Sequence, residues 1–123
     1  MDTENSQNIL IVDDEEIIRD FLSEVLDDYD VTLASDGDEA IEKLKLQKFN
    51  LVITDLRMPN VPGEEVVKAA HEIDPRIKVI VISGYSSLST LSRSVRSGAC
   101  AFLSKPFTIT ELKQAVTEAL GGK

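Results

Sequence analysis

The chain has 123 residues, the size of one ordinary domain, and is long enough to bury a core without disulfide or metal staples. It is 42% hydrophobic and 28% charged, as soluble globular proteins are, and apolar runs such as residues 9–12 and 79–82 fall far short of the ~20 residues that span a bilayer. A net charge of −9 repels phosphate backbones, so neither direct nucleic-acid binding nor a membrane contact is expected of it.

Residues 1–7 read as a frayed, acidic and polar tail without the apolar stretch of a secretory signal. The folded unit is expected over 8–121. Residues 8–13 (NILIVD) form a short apolar run ending in acid, a buried strand. In 15–27, Ile18, Phe21, Leu22, Val25 and Leu26 fall on one helical face. Residues 30–34 (DVTLA) are a second strand, and Asp36-Gly37 opens a helix over 38–46 with Ala40, Ile41 and Leu44 inward. A third strand, 50–54 (NLVIT), leads directly into Asp55.

A loop with Pro59, Pro62 and Gly63 follows. The third helix, 64–72, carries Val66, Ala69, Ala70 and Ile73 along one side, and Asp74-Pro75 stops it. Its His71, the single histidine, sits at the surface or boundary without a role. Residues 78–82 are a strongly β-branched fourth strand. The fourth helix, 87–97, lies in the serine-rich run SSLSTLSRSVRS, whose hydroxyls compete for backbone partners and predict a marginal helix. Arg93 and Arg96 make it locally basic, and Gly98 suits a left-handed C-cap. A fifth strand spans 100–103. Cys100, the one cysteine, is expected as a small buried apolar residue, and a lone thiol implies no oxidising compartment. Thr108-Ile-Thr-Glu111 is a capping box for the last helix, with Leu112, Ala115, Val116, Ala119 and Leu120 inward.

Five near-continuous apolar strands alternating with five helices indicate an α/β fold with a parallel sheet covered on both faces. The doubly wound flavodoxin-like order 2-1-3-4-5 fits, with the site beyond the C-terminal strand ends. Those ends carry Asp13-Asp14, Asp55, Ser83 and Lys105. Each alone has an ordinary explanation, a helix cap, a turn or a solvated lysine. Together they place three carboxylates, a hydroxyl and an ammonium at one edge. Close carboxylates repel, and a hard divalent cation relieves that repulsion through oxygen ligands.

With VDDEE at 12–16, TDLRMPNVPGEE at 54–65, ISG at 82–84 and KPF at 105–107, the sequence resembles the receiver domains of two-component response regulators over residues 8–120. The resemblance implies a phosphoacceptor at Asp55, supplied by a histidine kinase or phosphotransfer protein. It implies Mg2+, or Mn2+ in its place, on Asp14, Asp55 and the Arg57 backbone carbonyl, with Asp13 acting through water. Ser83, the Gly84 N–H and Lys105 would bind the phosphoryl oxygens, and the Lys105–Pro106 bond would be cis. Ser83 and Phe102 would form the switch. Arg57 and Tyr85, two positions past Asp55 and Ser83, would flank the path of water and tune the phosphate lifetime.

The implied product is a cytoplasmic signalling module, not an enzyme, that assists its own phosphorylation and dephosphorylation. It would address an effector through the face of the fourth helix, fifth strand and fifth helix, as a monomer or a phosphorylation-dependent dimer. The chain would be either a complete single-domain regulator or phosphorelay carrier, or the receiver of a longer transcription factor. A haloacid-dehalogenase-type phosphatase also uses an aspartate nucleophile and Mg2+, but it wants an acid where Arg57 stands. A degenerate receiver that only binds protein would lack one of the acids or the lysine, and all are present.

Overall fold

The computed structural model describes residues 7–58, 61–84, 92, 96 and 98–121. Among them run β1 (Asn8–Val12), α1 (Glu16–Val25), β2 (Asp30–Ala34), α2 (Gly37–Leu46), β3 (Leu51–Asp55), α3 (Gly63–Ile73), β4 (Lys78–Ser83), β5 (Ala101–Ser104) and α4 (Ile109–Ala119). The five strands are all parallel, in the order β2-β1-β3-β4-β5. No described helix is long and apolar enough to cross a membrane. The predicted helix over 87–97 lies outside the described residues except for Ser92 and Arg96, both helical. Pro59 and Tyr85 also lie outside them.

Alternation along each central strand builds two cores. Ile9 and Ile11 of β1, Leu51 and Ile53 of β3, and Ile80 and Ile82 of β4 pack with Leu22 and Leu26 of the α1 segment and with Leu112 and Val116 of α4. Leu10, Val12, Val52, Val79 and Val81 face the other way, against Ala40 and Leu44 of α2 and Val66, Val67 and Ala70 of α3. Period-2 alternation with both sets apolar is what a sheet buried on both faces requires. The edge strands are less covered, and all four residues of β5 are only partly buried.

The helix ends follow local chemistry. Asp36 accepts from the Glu39 N–H at 2.8 Å, while Glu39 Oε1 returns to the Ser35 N–H and hydroxyl at 2.7 and 2.9 Å. Those hydrogen bonds hold the Glu39 carboxyl below its ordinary range. Thr108 and Glu111 form the reciprocal capping box expected for α4. Gly98 has φ +104°, in the left-handed region where a side chain is strained.

Some expectations change. Cys100 is exposed, not buried, because it precedes an edge strand that is itself only partly covered. Ile73 is 47% exposed at the end of α3, whereas Val67 joins the core in its place. His71 is half-buried and its Nε2 lies 3.0 Å from the Ile77 carbonyl oxygen, so it ties α3 to the start of β4.

Candidate functional site

Among the described residues, the buried polar and charged side chains are Asp13, Thr54, Asp55 and Ser83. All stand at or next to the C-terminal ends of β1, β3 and β4. Register explains the convergence. Val12 pairs with Thr54, Asp55 with Ile82, and Ser83 with Ser104, so the residues just past these positions meet at one edge. Burying several polar groups together is costly unless they satisfy one another, so the cluster marks function rather than stability.

Oxygens of Asp13, Asp14 and Asp55 lie within 4.8 Å of one another, with Asp14 exposed and the other two buried. The Asp55 Oδ1 accepts from the Arg57 N–H at 3.0 Å. Its Oδ2 accepts from Lys105 Nζ at 2.9 Å. Lys105 also reaches Asp13 Oδ2 at 3.3 Å and Glu15 Oε1 at 3.3 Å. The lysine backbone is tied to β4: its N–H donates to the Ser83 carbonyl at 2.8 Å. Its bond to Pro106 is cis.

The electrostatics follow from this crowding. Burial raises the Asp13 pKa, and the nearby Asp55 charge adds to the rise, while the Glu15 N–H and Lys105 oppose it. Burial works against the Lys105 ammonium, yet Asp55, Asp13 and Glu15 together hold its pKa well above the ordinary lysine range. Lys105 is therefore a fixed positive charge near neutrality and does not exchange its proton there. The donors are all oxygen, which suits a hard divalent cation rather than a thiolate- or imidazole-seeking metal.

The structure brings together Asp13, Asp14, Asp55 and Lys105, with the Arg57 backbone beside them and Ser83 buried at the next strand end. Gly84 is exposed, and a side chain there would meet nothing within 4 Å. Phe102 lies one strand further out, paired in register with Val81 and packed against the α2–α3 core. Tyr85 is outside the described residues.

Four contributors escaped the sequence reading. Glu15 contacts Lys105. Arg19 donates from Nη1 to the Asp13 carbonyl at 2.7 Å, fixing the loop that carries the acid pair. The Thr54 hydroxyl donates to the Asp55 carbonyl at 3.0 Å. Gly63 packs directly on that same carbonyl. Neither Asp14 nor Glu15 caps α1 by its side chain, whereas the Asp13 carboxylate takes the Glu15 N–H at 2.9 Å. The surface grooves beside α3, lined by Glu65, Lys68 and Glu72, lie away from this edge.

The sequence pattern of the response regulator receiver domain family matches residues 9–117. The chain belongs to the response regulator receiver domain family. The receiver is 34% identical over 117 residues to sporulation initiation phosphotransferase F of Bacillus subtilis, covering 94% of both chains. A CheY-like receiver domain protein from Methanospirillum hungatei superposes with a TM-score of 0.90 at 32% identity, over 96% of each chain. The response regulator TrrA from Thermotoga maritima, solved in complex with Mg2+–BeF, superposes with a TM-score of 0.83 at 34% identity, over 93% of this receiver and 99% of TrrA. Longer transcriptional and response regulators match too, and there the receiver spans 26% of their length.

Proposed function

We propose that the receiver, residues 8–121, accepts a phosphoryl group on Asp55 from a histidine kinase or phosphotransfer protein. The observation that carries this is the 2.9 Å contact of Lys105 with an Asp55 carboxylate that shares its edge with Asp13 and Asp14. A carboxylate oxygen of Asp55 forms the new P–O bond as the P–N bond of a phosphohistidine breaks. The electron pair leaves on the imidazole nitrogen. In hydrolysis, water adds to phosphorus and the Asp55 carboxylate leaves.

Asp14, Asp55 and the Arg57 carbonyl would hold Mg2+, with Asp13 acting through water, and Mn2+ would serve in its place. When bound, the ion offsets the charge that accumulates on carboxylate and phosphoryl oxygens. Lys105, permanently charged, grips one phosphoryl oxygen, and the Ser83 hydroxyl and Gly84 N–H serve the others. As Ser83 turns toward the phosphoryl, Phe102 follows, and the switch is a population shift between two packings. The effector-facing surface comprises β5, α4 and the predicted helix over 87–97, and the chain works in the cytoplasm, as a monomer or as a phosphorylation-dependent dimer. It is a phosphoacceptor and not a turnover enzyme. The matched relatives of equal and of greater length support both a stand-alone carrier and the receiver of a longer transcription factor.

The test is incubation with acetyl phosphate and Mg2+ followed by intact mass. A single added phosphoryl is expected, lost on chelation of the metal. Borohydride reduction of the acyl phosphate should then convert residue 55, and no other, to homoserine. A phosphoryl on any other residue sinks the reading. In the same time course, the double replacement Arg57→Ala, Tyr85→Ala should change the rate of dephosphorylation, and an unchanged rate removes their tuning role.

A further inference from the structure

An ammonium presents three N–H donors, and in this receiver three carboxylates share those of Lys105: Asp55, Asp13 and Glu15. The three are not equivalent. Asp13 is fully buried, its Oδ1 takes the Glu15 N–H, and its carbonyl takes the Arg19 guanidinium. Asp55 stands at the end of the central strand with its other oxygen on the Arg57 N–H. The Glu15 side chain is 61% exposed. It occupies the N-cap position of α1 yet makes no capping bond, and reaches instead to a lysine 90 residues away.

We propose that Glu15 is a displaceable counter-ion of Lys105, expelled by the incoming phosphoryl group, and so sets the rate at which Asp55 is phosphorylated. The inference rests on the reading that Asp55 carries the phosphoryl and Lys105 grips it. A phosphoryl oxygen needs one ammonium N–H, and all three are engaged at rest. Asp13 is fixed by its burial and by the Glu15 N–H on its other oxygen, so its withdrawal from the ammonium is costly. Glu15 can withdraw, because water solvates it at once and an exposed ion pair contributes little. Until it leaves, its carboxylate also opposes an anionic donor approaching the mouth of the site. Glu15 touches the group that holds the phosphoryl and not the reacting atoms, so it is a positioning residue.

The experiment compares initial phosphorylation rates of the full chain and of Glu15→Gln, with Mg2+, by intact mass. At low salt and neutral pH, Glu15→Gln should react roughly threefold to tenfold faster with doubly charged acetyl phosphate, as expected for removing one charge a few ångströms away. The gain should be smaller with singly charged phosphoramidate. It should fade as salt rises toward about 1 M, where the screening length is ~3 Å. Glu15→Asp, which restores the charge, should return toward the wild-type rate. A purely structural role would move both donors equally and would not respond to salt. If the wild type is phosphorylated but Glu15→Gln stays within about twofold of it, or gains equally with both donors, the inference fails. A wild type that takes no phosphoryl on residue 55 overturns the underlying reading as well, which separates the two failures.

Discussion

Asp55→Asn should abolish phosphoryl uptake and at the same time make the stability of the Mg2+-free protein less sensitive to pH. The amide keeps the shape of the side chain and one acceptor oxygen for the two donors that Asp55 serves, the Lys105 ammonium and the Arg57 N–H, but offers no carboxylate to form an acyl phosphate. Intact mass after acetyl phosphate treatment should therefore show no addition. Stability should respond through Asp13. Three carboxylates converge at the edge, and burial together with the Asp55 charge raises the pKa of Asp13. An acid whose folded pKa is raised favours the fold while protonated, below its ordinary range, and loses that contribution as the pH rises through the raised value. At neutral pH the ionised Asp13 is therefore a cost to the fold. Removing the Asp55 charge takes away one of the causes of the raised pKa, so this pH-dependent cost should be smaller. Unfolding in the presence of a chelator, followed upward in pH from below the ordinary carboxylate range, should show the variant less sensitive to pH than the wild type. The stabilisation gained by adding Mg2+, which follows from binding to the folded state alone, should shrink. A variant that still takes one phosphoryl, or whose stability depends on pH as steeply as that of the wild type, would contradict the argument.

Gly63→Ala should destabilise the receiver by roughly 2–3 kcal/mol, far more than a glycine at a helix start ordinarily implies. A Cβ at this position would overlap the Asp55 carbonyl oxygen and come within 2.8 Å of the Leu56 Cα. Both obstacles are backbone, in the segment that carries Asp55, and neither can swing aside as the tip of a side chain could. The Gly63 N–H also donates to the Leu56 carbonyl at 3.0 Å, so the helix start and the strand exit are locked together. To admit a methyl group, the chain around Asp55 must shift. Urea unfolding measures the loss of stability. Phosphorylation at a temperature where the variant is folded should be slowed as well, because the carboxylate no longer sits squarely against Lys105. A change below about 0.5 kcal/mol would show that this contact yields easily.

The sheet order, the strand ends and the central cluster were legible in the sequence because each depends on local pattern. NILIVD and NLVIT announce buried strands by their apolar runs, and a parallel sheet then brings their ends to one edge. Asp55 turns out to be the last residue of β3 rather than the first after it, a change that leaves its position on the edge intact. Glu15 was not legible. Its partner is 90 residues away, and nothing in the spacing of VDDEE separates an acid that caps from one that reaches across the site. Arg19 drew no reading from the sequence, although an arginine one turn past an acidic loop could have prompted the question. Gly63, after a proline, read as turn chemistry, and only the approach of two backbones reveals why a side chain is excluded. Cys100 was misjudged because thiol burial is a tendency of the residue type, whereas exposure here is set by its place before an edge strand.

The sheet, apolar on both faces, also works as a partition wall. In β5, Phe102 belongs to the layer with α2 and α3, whereas its neighbours Ala101 and Leu103 belong to the layer with α1 and α4. A rearrangement of Phe102 therefore disturbs one compartment and leaves the packing of the other in place. Were Phe102 to switch as proposed, the change would fall on the face shared with α2 and α3, and the five strands would insulate the opposite core from it.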